Sequence, residues 1–265
     1  MNFRNLNLKQ GRPTLLVGLV FFTIAHSIFF SAFAQSDLAI DQYLEAEKFN
    51  FAEAPIAELG EPIVLWATNY HLPEIINGTG DVPLRDISGV ELGPTLTLAD
   101  WCKSALEGSV RIIFNDGNIE TYNYHTTSEY FPNDCSAYYA FKLGKTKFRK
   151  ARGPFGDGVG DFRLAPYRTV ATDPTLIPTG SVLFIPEARG VLINLPSGQS
   201  IVHDGYFFAG DVGGAIKLNH IDVFIGTHTD SSFFPWIGNM KTKTFNAFLV
   251  KDQVIIDSLT QLHLK

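Results

Sequence analysis

The sequence predicts a mainly β protein with a barrel or sandwich core. Short runs rich in β-branched and aromatic residues recur, above all after residue 165. Turn residues separate these runs at close intervals, and the best helix signal is confined to one short segment. Short strands at this spacing point to a barrel or sandwich rather than to an α/β fold. No internal repeat of solenoid length and no low-complexity tract is present.

The chain opens with a leader. Arg4, Lys9 and Arg12 precede an apolar run from Thr14 to Ser31, and Ala32-Phe33-Ala34 supplies a small-residue cleavage site. This is the layout of a secretory signal peptide over residues 1–34, cut after Ala34. An uncleaved membrane anchor is the other reading, since the run is near the lower length limit for a span. Cleavage would place the mature protein in the periplasm or outside the cell, free of the membrane. It would leave 18 Lys and Arg of the original 21 against 27 Asp and Glu, a net charge of −9. So acidic a chain is a poor nucleic-acid binder, and any anionic polymer would have to be held by a shaped cleft.

Residues 35–61 read as an acidic, Ala-rich arm broken by Pro55 and carrying one short helix. Residues 62–265 read as the barrel domain. Ile63 to Tyr70 is a buried strand by its β-branched start, and Tyr70 and His71 at its end could face a cleft. Thr97 to Gly108 is the helix: Thr97 can cap it, Asp100 sits like a capping-box acid, and Gly108 stops it. Leu98, Trp101, Cys102 and Leu106 make its apolar stripe. Val110–Phe114 and Ile119–His125 form a hairpin around Asp116-Gly117. The basic run from Lys142 to Arg152 and the Gly-rich Gly153–Gly160 are either a solvated face and a loop, or a positive rim for an anionic substrate. Further strands are Thr169–Ala171, Val182–Ile185, Val191–Leu195, Ile201–Ala209, Ile221–Ile225 and Ala247–Val250.

Cys102 and Cys135 are the only cysteines. In an exported chain they form one disulfide. The alternative is a nucleophilic thiol with His71 or His125 as its base.

Three aspartates stand out, each in apolar or Gly-rich company. Asp173 precedes Pro174, as a turn or helix-capping residue does. Asp211 precedes Val212-Gly213-Gly214, as at a bulge or tight turn where backbone N–H groups favour the ionised acid. Asp222 lies inside Ile221-Asp222-Val223-Phe224-Ile225, and alternation puts it on one face with Phe224. A carboxyl there should hold its proton unusually well unless Lys217 or Arg168 pairs with it. A carboxyl protonated near neutrality is a general acid.

Thr169-Val170-Ala171-Thr172-Asp173-Pro174, Asp211-Val212-Gly213-Gly214-Ala215-Ile216-Lys217 and Asn219-His220-Ile221-Asp222 resemble the three-aspartate domain. That domain is shared by bacterial cell-wall proteins and the membrane-bound lytic transglycosylase A family. The specific resemblance covers Leu164 to Gly226. It implies a six-stranded double-psi β-barrel with short peripheral helices. It implies lytic cleavage of the MurNAc–GlcNAc bond of peptidoglycan, leaving a 1,6-anhydro end. Asp222 then corresponds to the acid, with Asp211 and Asp173 beside it. Lys217, Tyr167, Arg168, Tyr70 and His220 become candidates for binding the glycan. Val212 and Leu218 depart from the family's usual Thr and Gly, and the family's large extra domain has no obvious room.

A non-catalytic glycan-binding barrel is the principal alternative. An aspartic protease is disfavoured by Val212 and by the lack of a second Asp-containing motif. A metal held by the aspartates with His203 and His220 lacks H-E-x-x-H-like spacing. No cofactor or metal is therefore expected.

Overall fold

The computed structural model describes residues 49–195 and 198–264. The leader and most of the arm lie outside the described residues. In chain order, strands β1 (Leu59–Tyr70), β2 (Glu74–Ile76), β3 (Val82–Arg85) and β4 (Glu91–Leu96) lead into helix α1 (Leu98–Glu107). Strands β5 (Ser109–Ile113), β6 (Ile119–Thr127) and β7 (Thr146–Lys150) follow. After a long loop come β8 (Thr169–Ala171), β9 (Val182–Phe184), β10 (Leu192–Asn194) and β11 (Ser200–Val202). Last are β12 (Tyr206–Asp211), β13 (His220–Phe224), β14 (Thr244–Val250) and helix α2 (Gln253–Leu264).

Six strands close into a barrel in the order β1-β13-β8-β12-β9-β14. Its interior is filled by residues such as Leu65, Ala67, Val170, Leu183, Phe207 and Val223. Each fully buried Leu, Val or Phe contributes about 1.5–3 kcal/mol. Helix α2 covers the outside, where Ile255, Leu259 and Leu262 meet Phe184, Phe208 and Val250.

The stretch read as one barrel domain, residues 62–265, is divided. Strands β2-β5-β6-β7 make a second sheet, and β3 and β4 a separate ribbon. They share a core of their own, with Leu84, Leu96, Trp101, Val110, Ile112 and Phe148 at its centre. Additional structure beside the barrel thus does find room. It went unread because β2, β3 and β4 are short and the ribbon contains Pro83 and Pro94, residues that argue against a strand.

Helix α1 forms as the sequence predicts. The Thr97 hydroxyl accepts from the Asp100 N–H, and Gly108 ends the helix at φ 77°. The buried face, however, is Trp101, Cys102, Ser104 and Ala105, whereas Leu106 is exposed. Cys102 is disulfide-bonded to Cys135, which excludes both as free nucleophiles. The bond fastens α1 to the loop between β6 and β7.

Two strand boundaries are corrected. β1 begins at Leu59, so residues 59–61 belong to the barrel rather than to the arm. The run Ile201–Ala209 is broken at His203-Asp204-Gly205. There the Asp204 carboxylate receives the Arg168 guanidinium at 2.6 and 2.8 Å, and Gly205 adopts φ 92°. A buried ion pair at that point takes the place of a sheet ladder.

Candidate active site

The site is built from one row of residues across four adjacent barrel strands. Thr68 on β1 pairs in register with Asp222 on β13. Asp222 pairs with Ala171 on β8, and Ala171 pairs on its other side with Asp211 on β12. In-register partners share a face of the sheet. The small Ala171 side chain leaves space between the two acids. The register of β12 slips at Gly210, a β-bulge that turns Asp211 toward the row. Gly158 packs on this bulge so closely that a Cβ there would lie 2.1 Å from the Gly210 carbonyl oxygen. The Gly-rich loop is thereby a buttress for Asp211.

The Thr68 hydroxyl oxygen lies 2.6 Å from Asp222 Oδ1, and the hydroxyl donates to it when the acid is ionised. Burial, above all, pushes its carboxyl up to about 7, with the charges of Glu107 and Asp211 adding to the effect and the Thr68 bond opposing it. Asp211 accepts from the Tyr70 hydroxyl at 2.8 Å and from the Val212 N–H at 2.8 Å. Burial pushes it up to about 6 against both of these bonds. The Tyr70 phenol is itself held well above its usual range by burial and by Asp211. Two partly buried carboxyl groups thus keep their protons far into the range where free aspartate is ionised.

Asp173 lies two residues beyond Ala171, but its carboxylate faces elsewhere. It accepts from the Leu218 N–H at 2.8 Å and from the Thr175 N–H and hydroxyl at 3.0 and 2.7 Å. These bonds, the one from Leu218 first, pull it down to about 2. This is the turn-capping arrangement that Asp-Pro suggests, and it also anchors the loop between Asp211 and His220. Leu218 sits in that loop at φ 58°, in the left-handed region that a Gly would occupy without strain. Lys217 is exposed on the same loop, where its charge helps to hold Asp173 ionised.

His220 is stacked on Trp66, with ring centroids 3.6 Å apart and planes inclined by 6°. Its Nε2 lies 2.9 Å from the Thr68 hydroxyl oxygen. Trp66, Thr68 and Tyr70 alternate along β1 and line the site, while Leu65 and Ala67 point into the barrel.

Two of the residues read as glycan contacts are withdrawn from the cleft. Arg168 is 1% exposed, paired with Asp204, and stacked at 4.0 Å on the Phe49 ring. It fastens the N-terminal segment to the barrel. Tyr167 is equally buried and bonds through its hydroxyl to His228 Nδ1. His203 is fully buried, with Nδ1 accepting from Gly205 N–H and Nε2 on the Tyr167 carbonyl, so both nitrogens are engaged. Among the described residues no cluster of His, Cys, Asp and Glu has a metal-site arrangement. The basic run is similarly engaged: Arg149 and Arg152 meet the buried Asp157, and Lys150 meets Glu120.

The site also contains a residue the sequence reading missed. Glu107, the last residue of α1, comes from the second sheet's layer to the end of β1. It accepts from the His71 N–H at 3.0 Å and lies 3.3 Å from His71 Nδ1. Burial raises the Glu107 carboxyl and lowers the His71 imidazole to about 4. Near neutrality the contact is therefore not an ion pair with a charged imidazole. An acid at a helix C-terminus opposes the helix dipole. That local conflict was the available signal.

A protein-family model described as the 3D domain matches residues 168–242. That segment is similar to the 3D domain. The match contains Ala171, Asp211 and Asp222 of the row, while Thr68 lies outside it. Among solved structures, Escherichia coli MltA with bound chitohexaose superposes with a TM-score of 0.51 at 17% identity, covering 71% of this chain and 72% of that one. A membrane-bound lytic murein transglycosylase from Agrobacterium tumefaciens gives 0.49 at 14% identity, covering 74% and 78%. MltA from Neisseria gonorrhoeae gives 0.46 at 14%, covering 71% and 72%. No curated protein matches the sequence. The segment similar to the 3D domain therefore sits in an MltA-like fold, mainly β with a closed six-stranded barrel.

Proposed function

We propose that the protein is a peptidoglycan lytic transglycosylase with Asp222 as its acid and base. The observation that carries this reading is the placement of Asp222: partly buried, across Ala171 from Asp211 and 2.6 Å from the Thr68 hydroxyl, where burial raises its carboxyl to about 7. Such a carboxyl can protonate the glycosidic oxygen between MurNAc and GlcNAc as that bond breaks. The resulting carboxylate then takes the proton of the C6 hydroxyl as its oxygen closes on C1. The product is a 1,6-anhydro sugar, and no water is consumed. One residue serves both steps, unlike the two-carboxylate arrangement of most glycosidases.

The surroundings support the assignment. Asp211 raises Asp222 by its charge. Two residues along the same strands, Trp66 is partly exposed and stacked on the buried His220, and it offers an aromatic surface of the kind on which a sugar face can rest. The fold it shares with E. coli MltA, a protein crystallised with chitohexaose, supports a glycan as ligand. Lys217 and His220 remain the proposed glycan contacts, and Tyr70 acts through Asp211. The leader read from residues 1–34 supports export to the compartment where peptidoglycan is found. Among the described residues no helix is long and apolar enough to cross a membrane.

The test is mass spectrometry of purified sacculi digested with the mature protein. Release of 1,6-anhydro-muropeptides is expected, and Asp222→Asn should abolish it. Reducing-end products would replace this reading with hydrolysis. Tight sacculus binding without products would replace it with the glycan-binding module.

A further inference from the structure

The Thr68 hydroxyl is placed between two groups that can each hold a proton. Its oxygen lies 2.6 Å from Asp222 Oδ1 and 2.9 Å from His220 Nε2. A hydroxyl has one proton to give. A backbone hydrogen bond at Ala215 also favours a proton on the His220 ring; with Nε2 facing Thr68, we assign that proton to Nδ1. A neutral ring that donates at Nδ1 must accept at Nε2. Both Thr68 contacts can then be satisfied in one way only: Thr68 donates to His220, and a protonated Asp222 donates to Thr68. With Asp222 ionised, Thr68 turns to the carboxylate, and the Nε2 lone pair faces an oxygen lone pair. Only a proton on His220 would restore both contacts.

We propose that Asp222, Thr68 and His220 hold one mobile proton in common, with His220 as the positioning residue that keeps it on Asp222 at rest by drawing the Thr68 proton to itself. This inference rests on the proposed reaction for its consequence but not for its geometry. In that reaction, transfer of the proton to the leaving oxygen costs the row a hydrogen bond. The carboxylate left behind is correspondingly eager to take the C6 hydroxyl proton, which restores the original pattern. No proton is created or lost over the cycle.

The groups around the pair are consistent with the resting assignment. Trp66 covers one face of His220, and burial first, then the Lys241 charge, disfavours its protonation. Asp211 and Glu107 press on Asp222 with like charge, and the Tyr70 phenol borders both acids.

Two measurements test this. The first is ¹⁵N NMR of the full mature protein labelled at histidine. The His220 Nε2 signal is expected to move toward that of a free, unprotonated nitrogen as Asp222 ionises, and Asp222→Asn should remove the step. No response of Nε2 at that pH would overturn the proposal, whatever the protein does to sacculi. A clear step in a protein that releases nothing would uphold the shared proton and sink the lytic reading instead. The second is the pH profile of anhydro-muropeptide release. His220→Phe keeps the stack on Trp66 but removes the acceptor, so the alkaline limb should fall by about one pH unit, tenfold in ionisation. Thr68→Val removes the donor to the carboxylate and should move the limb the other way. A purely structural His220 would lower the rate at every pH and leave the limb in place.

Discussion

Asp211 and Asp222 occupy opposite flanks of the same residue, Ala171, one through a parallel and one through an antiparallel pairing. Their carboxyl groups are therefore set by sheet register rather than by loops. Register changes by whole residues and reverses the face when it slips. Substituting either acid should leave the barrel intact. Asp222→Asn should cut anhydro-muropeptide release by about 10²–10⁴-fold, the usual contribution of a general acid. Asp211→Asn should cost far less and lower the alkaline limb by no more than Glu107→Gln does, because it removes one of the charges that keep Asp222 protonated. Circular dichroism of both variants should match the parent.

Stability should fall with pH across the neutral range, opposite to the usual behaviour of a carboxylate. Asp222 is raised from 3.8 to about 7 and Asp211 from 3.8 to about 6. A folded state that binds protons more tightly than the unfolded chain has their full benefit below about pH 4. It loses that benefit as the pH rises through 6 and 7. Asp222→Asn should consequently melt higher than the parent at pH 8 and differ little from it at pH 4. Asp173 works in the other direction. It is lowered to about 2, so its contribution is present above about pH 4 and is lost as the pH falls toward 2.

What was legible in the sequence follows the range of the forces involved. β8 was readable because Thr169-Val170-Ala171 is a short β-branched run ended by Asp-Pro. α1 was readable because Thr97 and Gly108 are local signals. Asp222 declared itself by interrupting an apolar alternation. Arg168 was misplaced because its partner Asp204 is 36 residues away, and nothing local marks a buried ion pair. Glu107 was missed for the same reason, since His71 is 36 residues from it. Thr68 was missed although it shares the alternating face of Trp66 and Tyr70, which would have found it.

The loop between Asp211 and His220 offers a test that separates support from chemistry. Asp173→Ala removes the acceptor of the Leu218 N–H and of two Thr175 donors. The loop should loosen, raising KM for sacculi while leaving the alkaline limb of the pH profile unmoved. Leu218→Gly should act oppositely. The exposed Leu218 sits at φ 58°, and relief of that backbone should stabilise the protein by up to about 1 kcal/mol. Thermal melts of the two variants should bracket the parent.

Glu107 reaches the site from the second sheet's layer, and its charge is one of the reasons Asp222 retains a proton. Glu107→Gln keeps an acceptor for the His71 N–H and removes the charge. The alkaline limb of activity should then move down by on the order of half a pH unit. A barrel acting alone would show no such shift.

The disulfide should matter to the site as well as to stability. Cys102 and Cys135 close a loop with a sequence separation of 33, and the bond joins α1 to the loop before β7. The loop-entropy relation assigns such a cross-link about 3–4 kcal/mol. Because the second sheet has its own core, the loss should fall there first. Cys102→Ser with Cys135→Ser should lower the melting transition and raise amide exchange in α1, β5 and β6 before the barrel strands respond. Glu107 ends α1 and meets β1 through His71, so the same variant should also show a lowered alkaline limb, in the direction of Glu107→Gln. A melt that falls with an unchanged pH profile would mean that α1 holds Glu107 in place without its covalent tie.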